Sequence, residues 1–151
     1  MAYQSTHGTT IGITATAPAT YNAAGYDALT FTTIGEITDI GEIGGEWSKQ
    51  EHKPVNGSVV KFKGAYDPGE TTFQMALDTD DAGQILAKAA MRSTANYYFK
   101  ITAPNGDIYY MAAKVMSFKV NFGGSESVIT ASMKVDISGT GAVDIVEKLA
   151  A

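Results

Sequence analysis

The chain has 151 residues, enough to bury one sizeable core, and carries 44% hydrophobic and 18% charged residues. A formal charge of −5 argues against electrostatic capture of nucleic acid, which needs a basic footprint. The absence of cysteine excludes disulfides and thiol chemistry, and no apolar run nears the roughly 20 residues of a membrane helix. Met1 to Thr10 is polar and lacks the basic segment and apolar run of a secretory signal.

Residues 1–27, rich in Thr, Ala and Gly, read as an N-terminal arm. Within it Ile11, Ile13 and Ala15 alternate with Gly12 and Thr14 as one short strand. Leu29, Phe31 and Ile34 open a firmer strand running to about Asp39. Isoleucines 34, 37, 40 and 43 recur every third residue, a spacing that suits neither a strand nor a helix this rich in glycine. Residues 41–57 read as a long loop holding Gly44, Gly45, the single Trp47, His52, Pro54 and Asn56-Gly57. Loops of that length inside a domain usually carry function, and Trp47 wants a surface to pack on.

Residues 58–63 form a short strand, and Gly64 to Gly69 supplies turn chemistry around Pro68. In 70–77, Thr71, Phe73, Met75 and Leu77 make one apolar face against Glu70, Thr72, Gln74 and Ala76. Residues 80–92 read as the one helix, capped by Asp78 or Thr79, with Ala82, Ile85, Leu86, Ala89 and Ala90 as its apolar stripe. Gly83 in its interior suggests close packing on a sheet. Strands at 97–103 and 107–115 flank Pro104-Asn105-Gly106. A two-residue turn there puts Ala103 opposite Ile108, Ile101 opposite Tyr110 and Phe99 opposite Ala112. Lys114 interrupts the apolar series that continues through Phe118, which calls for a bulge near 114–116. Residues 129–137 alternate most cleanly of all, 138–142 read as flexible, and 143–151 as a short tail open to helix.

These elements predict a mainly β chain: a β-sandwich or partly open barrel with one flanking helix, in a single domain with an arm before residue 28 and a tail after 137. No constellation for catalysis, cofactor or metal binding emerges. His7 and His52 lack matching ligands. Asp78 to Gly83 opens like a calcium loop but has Ala82 and Ala89 where ligands are needed. Ser58-Val59-Val60-Lys61 lacks the companion motifs of a serine acyl-enzyme, and Asn56-Gly57-Ser58 is a bare sequon. Lys61 and Lys63, alternating with Phe62, read as a lysine-protected edge or as a contact with acidic loops of a neighbouring subunit.

The blocks Ile34-Gly35-Glu36-Ile37-Thr38-Asp39-Ile40, Lys61-Phe62-Lys63-Gly64-Ala65-Tyr66-Asp67-Pro68-Gly69-Glu70, Phe73-Gln74-Met75-Ala76-Leu77-Asp78 and Asp80-Asp81-Ala82-Gly83-Gln84 follow in this order. In that order the chain resembles, over roughly residues 28–137, the tail tube protein of long, non-contractile-tailed bacteriophages. The resemblance implies a non-enzymatic virion protein, made in the host bacterial cytoplasm. Its hexameric rings stack into a β-lined tube for DNA delivery. Partners would be further copies of itself, the tail tip or baseplate and the tail terminator, with tape measure protein and DNA passing through the lumen. By position in the long loop, Glu46, Trp47, Lys49, His52 and Val55 would make ring-to-ring contacts. The polar faces with Glu70, Thr72, Gln74, Thr130, Ser132 and Asp136, mostly uncharged or acidic, would line the lumen. The tube of a related injection or secretion machine shares these expectations. A monomeric β-sandwich binding module, its aromatics serving carbohydrate, is the reading from another class.

Overall fold

Period-two alternation at 70–77 and 129–137 predicts two half-buried strands, and these pair with each other. A computed structural model describes residues 3–138 and 145–149. In chain order its elements are β1 (Thr10–Thr14), α1 (Ala23–Asp27), β2 (Thr32–Ile34), β3 (Ile37–Asp39), β4 (Glu46–His52), β5 (Val60–Asp67), β6 (Glu70–Ala76), α2 (Ala82–Arg92), β7 (Tyr97–Thr102), β8 (Ile108–Asn121), β9 (Thr130–Ile137) and β10 (Ile145–Lys148). One sheet runs β2-β1-β7-β8-β9-β6-β3, with β10 also on β8, and β4 and β5 form a separate two-stranded ribbon. Every pairing is antiparallel.

The two edge strands of the sheet, β2 and β3, are consecutive in the chain and separated only by Gly35 and Glu36. Three Cα steps span at most about 11 Å, so the sheet must curl until its edges nearly meet. The result is a partly open barrel. Its interior holds Ile11, Ile13, Phe73, Met75, Phe99, Met111, Met133 and Val135, all fully buried. Phe73 and Phe99 meet across it with ring centroids 6.0 Å apart. Glu36 turns the corner with φ 62°, a left-handed conformation costing a non-glycine residue roughly 1–2 kcal/mol.

Helix α2 secures this corner. Asp81 is its N-cap: the Oδ2 accepts from the backbone N–H of Gln84 and of Gly35, each at 3.0 Å. The buried Gln84 amide donates to the carbonyls of Gly35 (3.1 Å) and Ala76 (2.9 Å), while its oxygen accepts from the Asp78 N–H (3.0 Å). One side chain thereby satisfies backbone groups on both sides of the seam. The helix buries Gly83, Gln84, Ala87 and Ala90, and leaves Ile85 exposed. The expected stripe of Ala82, Ile85, Leu86, Ala89 and Ala90 is thus rotated. Hydropathy favours isoleucine inside, but the seam needs a hydrogen-bonding amide. The cap likewise moves from Asp78 or Thr79 to Asp81.

Other expectations shift for identifiable reasons. The strand ending near Asp39 is two strands broken at Gly35–Glu36, and the three-residue isoleucine spacing follows from that crossing. Ile34 is buried, and Ile37, Ile40 and Ile43 pack against the same core. In the β7–β8 connection, Pro104, Asn105 and Gly106 form a three-residue loop closed by Ala103 N–H to Asp107 O at 2.8 Å, with Gly106 at φ 97°. That added residue moves the register by one, so Phe99 pairs with Met111 and Ile101 with Tyr109. The bulge falls where expected, with Met116 extruded between Val115 and Ser117. The stretch read as an arm supplies β1, inside the sheet, and the short helix α1, capped by Asn22. The tail forms strand β10 on β8 rather than helix; the flexible link expected at 139–142 lies outside the described residues.

On the outer side of β7 and β8, Tyr98 and Tyr110 are covered by Tyr26 of α1 and Val146 of β10. Tyr26 stacks on Tyr110 at 4.9 Å. Tyr110 donates its hydroxyl to Asp27, and Lys148 reaches the same carboxylate at 2.7 Å. These bonds, from Lys148 first and then Tyr110, hold the Asp27 carboxyl below the usual range. Burial pushes the Tyr26 and Tyr98 phenols up to about 12.

A methyl group on Gly83 would lie 2.6 Å from the Ile34 Cα and press on the Thr33 carbonyl. Gly83→Ala should therefore destabilise the fold by about 1–3 kcal/mol, despite the roughly 1 kcal/mol gain in helix propensity. Urea denaturation checks this: an unchanged or raised midpoint would show that the α2–β2 contact is looser than described.

Candidate assembly surfaces

Two surfaces stand out because, among the described residues, no further element packs over them. The first is the β4–β5 ribbon. The segment expected as a long loop at 41–57 contains β4, which pairs with β5 through Trp47↔Tyr66, Lys49↔Lys63, Gln50↔Phe62, Glu51↔Lys61 and His52↔Val60. Strand β5 itself runs through Gly64, Ala65 and Tyr66, so the turn shrinks to Pro68–Gly69. The ribbon escapes a periodicity reading because both its faces are wet: all seven β4 residues and nearly all of β5 are exposed.

Glu46, Trp47, Lys49 and His52 all lie on β4, and Val55 is fully exposed at the ribbon tip. Trp47 packs on Tyr66 with centroids 4.9 Å apart, and Lys63 sits 5.3 Å over its ring. Glu51 is shared by Lys49 at 2.9 Å and Lys53 at 3.8 Å. Phe62 and Tyr66 remain 57% and 42% exposed, so they join the candidates; the alternation of Phe62 with Lys61 and Lys63 is the signal that marks it. Two like-charge pairs, Glu46 with Asp67 and Lys49 with Lys63, stand directly opposite each other. Such pairs weaken a ribbon, and an isolated two-stranded hairpin is at best marginally stable in water.

The second surface is the outer face of β6, β9 and the far half of β8. Register places Glu70 opposite Asp136, Thr72 opposite Lys134, Gln74 opposite Ser132, and Thr130 beside Ala76. All six residues expected on a polar face therefore share it. The face is less acidic than expected, because Lys134 lies within it and β8 adds Lys114 and Lys119 in register. Lys134 bridges Glu70 at 3.2 Å. Asp136 is the strained member: its Oδ1 is buried without a hydrogen-bond partner. Burial lifts its carboxyl above the usual range; Lys134 opposes the lift and Glu70 adds to it.

A crevice opens where residues 6–9 pass the segment 37–41, with a volume of about 540 Å³ and Asp39, Thr38 and His7 among its walls. It continues into a cavity of about 320 Å³ floored by Ile40, Ile43, Ile101 and Tyr109. Among the described residues no group of three or more histidine or acidic side chains is arranged to hold a metal ion, and no helix is long and apolar enough to cross a membrane.

No protein-family model and no curated protein sequence matches the chain. Solved structures do. A chain of the PVC sheath/tube terminator of an extracellular contractile injection system, in the extended state, superposes with TM-score 0.65 at 8% identity over 97% of both chains. A chain of the six-fold symmetrised anti-feeding prophage baseplate gives 0.61 at 9% identity, covering 89% of this chain and 91% of that one. A chain of the PVC sheath–tube complex gives 0.60 at 8% identity, covering 94% and 88%. At such identities the likeness is one of fold.

A carboxyl whose pKa is raised by folding favours the folded state only while protonated, and opposes it as pH rises through the folded value. Asp136→Asn should therefore raise the urea midpoint at pH 7, with the gain closing below about pH 4. A lower midpoint at pH 7 would mean that the Lys134 attraction outweighs burial.

Proposed function

We propose that this chain is a structural, non-enzymatic tube subunit of the phage-tail type: a single tail-tube domain that assembles into stacked hexameric rings in the virion and lines the channel for DNA delivery. The observation that carries the reading is the β4–β5 ribbon. A barrel that satisfies its own core has no use for a two-stranded ribbon holding Trp47, Phe62 and Tyr66 in water, except against a partner. The shared fold supports it, since the superposing chains come from tube-terminator, baseplate and sheath–tube assemblies. Their contractile origin favours a second form of the same reading, a tube component of an injection machine.

In this reading Glu46, Trp47, Lys49, His52 and Val55 make ring-to-ring contacts, and Glu70, Thr72, Gln74, Thr130, Ser132 and Asp136 line the lumen. The lining suits passage of a polyanion because Glu70 and Asp136 stand beside Lys134 and Lys114 while Lys119 faces neutral Ser132, so the lysines make no continuous basic stripe to grip phosphate. Tail tip or baseplate and tail terminator close the ends, and tape measure protein and DNA pass without specific binding.

The purified protein should form rings or filaments around a central hole in negative-stain electron microscopy, with mass in solution rising with concentration. A strict monomer at every concentration would favour a binding module instead. Trp47→Ala should shorten or abolish filaments while leaving the β-sheet circular dichroism intact. Filaments of normal length would remove Trp47 from the contact.

A further inference from the structure

We propose that the tip of the β4–β5 ribbon seats in the crevice between residues 6–9 and 37–43 of a second copy, making a head-to-tail contact held by opposite charge around an apolar plug. The inference rests on the tube-subunit reading and names the surface that receives the ribbon. The distal ribbon, residues 49–63, carries Lys49, Lys53, Lys61 and Lys63 against the single acid Glu51. Its net charge is therefore +3, which leaves −8 on the rest of a chain whose total is −5. Lys49 and Lys53 already share Glu51, so the tip has no second carboxylate of its own to balance Lys61 and Lys63.

The crevice has the complementary character. Asp39 lines it, with the exposed Glu36 and Glu42 a few residues to either side. Its floor of Ile40, Ile43, Ile101 and Tyr109 is apolar and takes a small side chain. The ribbon tip presents Val55, fully exposed beside Pro54. A chain does not reach its own crevice: the crevice lies at the foot of the ribbon, just before β4, whereas the tip stands roughly 25 Å out along an eight-residue strand. The occupant is therefore another copy. Because donor and acceptor are different surfaces, the contact is heterologous and propagates into rings or filaments.

Charge reversal tests this in both directions. One variant carries Lys53→Glu and Lys61→Glu; another carries Asp39→Lys and Glu42→Lys. Sedimentation should show each self-associating on the order of tenfold more weakly or worse, since like charges then face each other. Mixed, the two should co-assemble in alternation into rings or filaments, because each ribbon then meets a crevice of opposite charge. A chain carrying all four substitutions should assemble again. If wild type assembles and the Asp39→Lys/Glu42→Lys variant does so equally well, or the fourfold variant stays dispersed, the crevice is not the acceptor while the tube reading stands. If wild type never assembles, both fall. Should a variant lose its β-sheet signal, wild-type assembly decides: it should weaken steadily with added salt, and indifference to salt would overturn the proposal.

Discussion

Everything in this molecule hangs on the chain crossing from one edge of the sheet to the other in two residues. Gly35 and Glu36 carry it from β2 to β3, and that short span obliges the sheet to curl on itself. Asp81 and Gln84 hold the crossing from the helix side, satisfying backbone groups of Gly35, Ala76 and Asp78 that the seam would otherwise strand away from water. The same clasp explains the strained Glu36 backbone, the buried amide on a helix that hydropathy would orient differently, and the missing side chain at Gly83. With the seam held, Phe73, Phe99, Met111 and Met133 meet in one interior.

Closing the barrel leaves an outer surface with two characters. Over β7 and the near half of β8, Tyr26 of α1 and Val146 of β10 cover Tyr98 and Tyr110, and Asp27 locks the layer between Tyr110 and Lys148. Over β6, β9 and the far half of β8 no such coat is present among the described residues, and the alternating polar residues are exposed on β6 and half-buried on β9. The Met116 bulge lies between them on a single 14-residue strand, so β8 belongs to both halves and bends where one character gives way to the other.

Period two made β6 and β9 legible, and helical spacing with an acidic start made α2 legible to within two residues. The polar face followed from the same alternation, so all six of its expected members share one surface. What the linear pattern hides has physical causes. A ribbon wet on both faces has no apolar side, so β4 looks like loop. One extra residue in the Pro104–Gly106 loop slips a register that apolar pairing fits almost as well. The five residues of α1, Ala23-Ala24-Gly25-Tyr26-Asp27, carry too little periodicity to announce a helix. The orientation of α2 turns on Gln84, whose burial is dictated by carbonyls distant in sequence.

The lysines of the ribbon have one more consequence. Ribbon strands have free edges, and two ribbons meeting side by side could zip together as an extra sheet. With +3 on each distal segment, that symmetric pairing brings like charge together. In the proposed assembly this charge steers copies away from facing one another and towards pointing the same way. An assembly built under that rule has polarity: its front and back are chemically different, and an end-binding partner can tell which one it has met.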